Sequence, residues 1–144
     1  MQSQKQDTNF GFMIKLNTIY NSDCMAFLRS LPDNYVNCCI TSPPYYGLRD
    51  YGVDGQIGLE ETPEAYVEKM VAVFREVRRV LKDDGVLWLN LGDTYFGSGQ
   101  GYGDTKTTNK SHNGSRQRRK PEWHSDSLKS KDLIGIPWMV AFAL

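Results

Sequence analysis

Between residues 35 and 91, two short and almost uninterrupted apolar runs stand on either side of one long amphipathic helix, an order that few folds accommodate. The first run is Tyr35-Val36-Asn37-Cys38-Cys39-Ile40 and the second is Val86-Leu87-Trp88-Leu89-Asn90-Leu91. Runs this compact suit strands covered on both faces, as in a parallel sheet. Between them Thr62 is placed to cap, and Pro63 to start, a helix expected to reach about Lys82. Its apolar residues Tyr66, Met70, Val73, Phe74, Val77, Val80 and Leu81 step by three and four, and so form one stripe. Asp83-Asp84-Gly85 is expected to stop that helix. Two strands joined by a helical crossover form a parallel pair.

The flanks extend the alternation. Residues 14–20 (IKLNTIY) are expected to form a short strand. Ser22 or Asp23 then caps a helix whose apolar side is Met25, Phe27, Leu28 and Leu31, with Pro32 and Asn34 ending it. Pro137 can open a last helix, IPWMVAFAL. The order strand, helix, strand, helix, strand predicts an α/β fold with a parallel sheet and helices on both faces. Three strands are few for such a sheet, and an apolar segment at residues 136–144 has nothing after it to pack against. The expectation is therefore that these 144 residues are the N-terminal part of one larger domain. Residues 1–13 are polar and expected to be flexible. Residues 97–130, rich in Gly, Ser, Thr, Asn and Gln, are expected to form a flexible basic loop, since residues 97–120 hold six Lys or Arg against the single acid Asp104.

Composition excludes several classes. Hydrophobic residues make up 40% and aromatics 12%, enough for a packed core and too much for a disordered chain. Lys plus Arg equals Asp plus Glu at 17 each, so bulk charge points to no partner. Cys24, Cys38 and Cys39 fall in no metal-ligand spacing; the adjacent pair reads as buried free thiols, in keeping with a reducing cytoplasm. No apolar stretch approaches the roughly 18 residues of a membrane span, and the opening residues do not resemble a signal peptide.

The first apolar run leads into Thr41-Ser42-Pro43-Pro44-Tyr45. Ligands of open α/β sheets bind at the carboxyl ends of the strands, where this segment falls. Consecutive prolines lack N–H groups, are held near φ ≈ −65°, and force the preceding residue into an extended conformation. The carbonyls beside them are expected to be free acceptors. Ser42 adds a hydroxyl and Tyr45 a flat aromatic face. Such a turn suits a planar ring carrying an exocyclic amine, although a proline turn with an aromatic plug would satisfy the tetrapeptide alone.

The flanking blocks decide between these. Ser42-Pro43-Pro44-Tyr45 resembles the [Asp/Asn/Ser]-Pro-Pro-[Tyr/Phe/Trp] signature of DNA amino-methyltransferases. Ile19-Tyr20-Asn21-Ser22-Asp23 followed by Leu28-Arg29-Ser30-Leu31-Pro32-Asp33 is similar to that family's lead-in. Gly92-Asp93-Thr94-Tyr95 and Lys131-Asp132-Leu133-Ile134-Gly135-Ile136-Pro137-Trp138 are similar to its later blocks. The resemblance covers residues 14–96 and 130–144 and implies a partial S-adenosylmethionine-dependent, Rossmann-like methyltransferase domain of the permuted subclass. It implies methyl transfer to the amine of a flipped base, with Ser42, Pro43, Pro44 and Tyr45 as the catalytic element, and Asp23 and Thr41 toward the cofactor. A leading Ser is commoner in cytosine-N4 than in adenine-N6 enzymes, which favours cytosine. DNA is the implied partner, with Lys106, Lys110, Arg116, Arg118, Arg119 and Lys120 as phosphate contacts; no metal is required. Restriction–modification or phage biology is the implied setting. A catalytically dead DNA-binding remnant and an RNA or protein amine methyltransferase remain alternatives. The family's Phe-x-Gly-x-Gly cofactor loop is expected to lie downstream. Phe96-Gly97-Ser98-Gly99-Gln100-Gly101 is not assigned to it, because no helical periodicity follows.

Overall fold

The computed structural model describes residues 14–97 and 125–144. It contains three helices, α1 (Cys24–Ser30), α2 (Pro63–Val80) and α3 (Ile136–Ala143), and two strands, β1 (Val36–Thr41) and β2 (Leu81–Leu89), paired in parallel. From α1 onward the α/β alternation is as expected.

The sheet and its supporting helix follow the sequence closely. Thr62 caps α2 by accepting from the Ala65 N–H at 3.1 Å, with Pro63 in the first turn. Tyr66, Met70, Phe74, Val77 and Val80 are buried along one side of α2. Tyr66, Met70, Phe74 and Val77 form one core with Tyr46, Ile136 and Val140, onto which Cys39, Leu81, Leu87 and Leu89 of the sheet pack. Full burial of each such side chain is worth about 1.5–3 kcal/mol, which is why the stripe rather than local propensity fixes the helix.

Four expectations are corrected. Residues 14–20 form no strand: Asn17 sits at φ 55° in a turn, and Leu16 and Ile19 are exposed. A β-prone run needs a neighbour to take its ladder bonds, and no described strand does so. Second, α2 ends at Val80 rather than Lys82, since Leu81 turns extended and pairs with Val36. Asp83-Asp84-Gly85 therefore lies inside β2, where five residue steps from Leu81 to Val86 match two from Val36 to Cys38. This stretch is an irregularity in the strand, not the helix stop. A Cβ at Gly85 would stand 2.9 Å from the Lys82 carbonyl oxygen, so the tight path needs glycine.

Third, one sheet face packs on the core while the other presents Ile40 (79% exposed), Trp88 (66%) and Val86, with no described helix over it. Finally, Cys38 shares that outer face and is exposed, as is Cys24; only Cys39 is partly buried. Burial, reinforced by Cys38, raises the Cys39 thiol pKa.

Before β1, the short helix α1 is capped by Asp23, whose Oδ1 accepts from the Ala26 N–H at 2.9 Å. Arg79 of α2 fastens its far end, donating to the Leu28 and Leu31 carbonyls at 2.7 and 2.9 Å and pairing with Asp33 and Glu76. Helix α3 has no side-chain cap of its own. Asp93, forty-odd residues earlier, supplies one: its carboxylate accepts from the Gly135 N–H at 3.0 Å and the Ile136 N–H at 3.0 Å.

Candidate active site at the carboxyl edge of the sheet

Parallel pairing carries both strands to the same edge, and the residues leaving that edge build the site. The Asn90 N–H donates to the Thr41 carbonyl at 3.0 Å, extending the ladder one step beyond β2. Ile40, Thr41, Ser42, Trp88, Leu89 and Asn90 line an open recess of about 450 Å³ there. Ser42, Pro43, Pro44 and Tyr45 follow directly, with Ser42 exposed and the next three half-buried.

The carbonyls of this turn are not uniformly free, contrary to expectation. The Pro44 oxygen accepts from the Tyr66 hydroxyl at 2.9 Å. The Tyr45 oxygen accepts from the Leu48 N–H at 3.4 Å, and the Tyr46 oxygen from the Thr94 hydroxyl at 3.1 Å. Among the described residues, no donor reaches the Ser42 hydroxyl, the Ser42 carbonyl or the Pro43 carbonyl. Two consecutive residues thus present acceptors, and the residues after them are tied inward.

The inward side is buried and close-fitting. Tyr66 is completely buried and Tyr46 nearly so, with ring centroids 5.6 Å apart. Burial, then Glu60 and Tyr45, holds the Tyr66 phenol well above its ordinary pKa; burial, then Glu64 and Glu60, pushes Tyr46 up to about 12. Both stay protonated near neutrality, so Tyr66 is a permanent donor. The loop behind them is fixed by Glu60, whose Oε2 accepts from the Gly58 N–H at 2.8 Å and whose Oε1 lies 2.9 Å from the Lys69 ammonium. Gly58, at φ 103°, adopts a conformation side chains rarely take, and a Cβ there would stand 2.9 Å from the Tyr45 carbonyl oxygen. On the other flank, a Cβ at Gly92 would lie 2.8 Å from both Cδ2 and Cε2 of Tyr45. The Tyr45 ring therefore rests against bare backbone.

The sequence-derived residues fall into three groups. Thr41, Ser42, Pro43, Pro44 and Tyr45 stand together at the strand end. Asp23 is the α1 cap, with Oδ1 engaged and Oδ2 without a hydrogen bond among the described residues. Lys106, Lys110, Arg116, Arg118, Arg119 and Lys120 lie outside the described residues. The two ends of that segment, however, meet beside the site. Tyr95 bridges Leu133 in antiparallel sense, Phe96 N–H donates to the Asp132 carbonyl at 2.8 Å, and Lys131 N–H donates to the Phe96 carbonyl at 2.9 Å. Phe96 and Gly97 thus belong to a closed neck, with Gly97 against Ser130, and residues 98–101 lie outside the described residues.

Sequence reasoning missed Tyr66, Gly92, Asp93 and Thr94 as builders of the site. Tyr66 was legible only as a member of a core stripe. Gly92-Asp93-Thr94 stood out as a block directly after a strand, which was the available signal.

For a sulfonium nucleoside the described residues fit in part. Asp23 Oδ2 and the Thr41 hydroxyl are polar groups that could meet its adenosine end, but no described glycine turn leads from a strand into a helix to hold the methionine end. Among the described residues no group of three His, Cys, Asp or Glu could hold a metal ion, and no helix is long and apolar enough to cross a membrane.

A family model described as DNA methylase matches residues 36–134, from the first residue of β1 through the neck. The type II methyltransferase M.Cfr9I of Citrobacter freundii is 46% identical over 127 residues, covering 88% of this chain and 41% of that protein. M.XycI of Xanthomonas campestris pv. cyanopsidis is 46% identical over 132 residues (92% and 43%), and M.SmaI of Serratia marcescens is 48% identical over 122 residues (85% and 40%). The chain thus spans about two-fifths of the length of these relatives. With the proline turn, the strand that delivers it and the glycine that receives its tyrosine all inside the matched segment, this chain belongs to the DNA methylase family.

Proposed function

We propose that this chain carries the base-binding half of a DNA amino-methyltransferase active site, with cytosine N4 favoured over adenine N6. The observation that carries the reading is the split among the turn's acceptors: the Ser42 hydroxyl and Pro43 carbonyl are open while the Pro44 and Tyr46 carbonyls are taken. An exocyclic amine has two N–H donors, and two neighbouring acceptors beside a stacking ring match it. A base must leave the duplex to reach them, at a cost of a few kcal/mol. Tyr45 then stacks on the flipped ring, while Ser42 and Pro43 accept from the amine. Those two hydrogen bonds draw the nitrogen lone pair out of conjugation and aim it, so orientation supplies much of the rate. S-adenosylmethionine, when bound, supplies an electrophilic methyl group. Asp23 and Thr41 would contact its adenosine end.

The methionine end would be held by a Phe-x-Gly-x-Gly loop in the portion of the relatives that the match does not cover. A Rossmann-like sheet completed by that portion would bury the exposed face around Ile40 and Trp88. Lys106, Lys110, Arg116, Arg118, Arg119 and Lys120 would neutralise phosphates next to the target base. Their segment leaves at Phe96 and returns at Lys131, a few residues from the glycine that touches Tyr45, which supports that placement. The setting is restriction–modification, as the relatives' type II names indicate for them.

Methyl transfer from labelled S-adenosylmethionine to DNA, RNA and protein, with the product nucleosides separated, tests the reading. N4-methylcytosine in DNA is the expected product. N6-methyladenine would overturn only the base preference. Label in RNA or protein would overturn the substrate class, and no transfer in the longest reading frame containing the chain would favour a DNA-binding remnant.

A further inference from the structure

We propose that Tyr66 and Gly92 are positioning residues, which decide the acceptors this turn offers and where its aromatic face lies; the proposal rests on the base-binding reading above. The Tyr66 hydroxyl, on a completely buried side chain of α2, holds the Pro44 carbonyl at 2.9 Å. Ser42 and Pro43 each precede a proline and are therefore extended. In such a left-handed extended chain, with three residues per turn, successive carbonyls are rotated by about 120°. Anchoring the Pro44 carbonyl inward on α2 thus turns the Pro43 carbonyl away from the core. Without the phenol, a half-buried carbonyl loses its partner, and the turn can rotate to seek water or the incoming amine with the wrong oxygen.

Gly92 fixes the other coordinate. Its Cα is the floor under the Tyr45 ring, because any Cβ would stand 2.8 Å from two ring carbons. A methyl group there must tilt or lift the ring, and the stacking plane moves with it. Gly92 is held in turn by the chain on either side. Asn90 is laddered to Thr41, and the Asp93 carboxylate accepts from the amides of Thr94, Gly135 and Ile136. One clamp thus comes from the helix that supports the sheet and the other from the neighbouring strand.

The test uses Tyr66→Phe and Gly92→Ala in the 144-residue chain, with resonances of labelled proline carbonyls and of the Tyr45 ring followed by NMR. The expected result is a displaced Pro44 carbonyl resonance in Tyr66→Phe and displaced Tyr45 ring resonances in Gly92→Ala, with the remaining core resonances in place. Where the parent polypeptide methylates DNA, turnover falls about tenfold for Tyr66→Phe and up to about a hundredfold for Gly92→Ala, with KM for the cofactor unchanged. Variants that lose thermal stability yet keep the resonances of residues 42–45 and the parent turnover would overturn the proposal. If Gly92→Ala does not fold, Tyr66→Phe carries the test alone. A parent that methylates no nucleic acid counts against the base-binding reading instead, and the resonances still decide the positioning claim in either direction.

Discussion

Replacing Asp93 by Ala removes a cap that α3 cannot supply for itself. The carboxylate accepts from three main-chain amides, at 2.8 Å (Thr94), 3.0 Å (Gly135) and 3.0 Å (Ile136), two of them at the start of α3. Loss of a helix cap costs about 0.5–2 kcal/mol, and loss of a negative charge at a helix N-terminus about 0.3–1 kcal/mol. Together these give about 1–3 kcal/mol while α3 stays docked. Undocking would expose Ile136 and Val140, both almost completely buried, at about 1.5–3 kcal/mol each, so the helix should loosen rather than leave. Asp93→Asn keeps an acceptor and loses the charge, and should cost less than half as much. Urea unfolding of the chain measures the stability, and amide hydrogen exchange locates the change. Faster exchange should be confined to α3 and residues 92–95, with α1 and the N-terminal half of α2 unaffected. An Asp93→Ala protein within about 0.5 kcal/mol of the parent, the range of an ordinary surface substitution, with α3 equally protected would refute the assignment.

Other consequences follow from the same contacts. Arg79→Met should destabilise the chain by about 2 kcal/mol, because the Leu31 carbonyl loses its donor, the Leu28 carbonyl keeps only the Leu31 N–H, and Asp33 and Glu76 lose their cation; Arg79→Lys should recover only part in the same unfolding assay, since one ammonium cannot span four acceptors. Tyr46 and Tyr66 have folded-state pKa values raised above those of the unfolded chain, so their contribution is intact below about pH 10 and lost as pH rises toward and through the folded values. At about 1.4 kcal/mol per pH unit per group, alkaline unfolding should cost at least about 2 kcal/mol between pH 10 and 12 and be shallower in Tyr66→Phe; a pH-independent stability in that window would contradict the burial of both phenols. Alkylation followed by mass spectrometry should label exposed Cys24 and Cys38 before Cys39, and equal rates would contradict the half-buried, raised-pKa thiol.

The α/β pattern was legible wherever side-chain periodicity and burial coincide. Thr62, Pro63 and the stripe from Tyr66 to Val80 fixed α2 to within two residues, and of the two cap candidates Ser22 and Asp23 the structure uses Asp23. The misreadings share a cause: they turn on what lies beside a segment and not within it. IKLNTIY has strand composition but no neighbour to pair with. Asp83-Asp84-Gly85 has helix-stop composition, yet Leu81 finds Val36 first and draws the triplet into the ladder. Ile40 and Trp88 are apolar enough for a covered face, and no described element covers it. At the site, Ser42 and Tyr45 were legible because proline chemistry is local. Tyr66, Gly92 and Asp93 were not, because their roles are long-range: a phenol reaching 22 residues back, a missing Cβ under a ring, a carboxylate capping a helix 42 residues on.

The central claim is that the Ser42 hydroxyl and Pro43 carbonyl receive the amine of a DNA base. The most direct measurement is transfer of labelled methyl groups from S-adenosylmethionine to DNA by the longest polypeptide containing this chain, compared with its Ser42→Ala variant, alongside cofactor affinity by calorimetry. The account predicts labelled DNA with the parent, a loss of at least about a hundredfold in turnover for Ser42→Ala, in the range seen when one preorganised polar contact is removed, and unchanged cofactor affinity. Undiminished transfer by Ser42→Ala would contradict it.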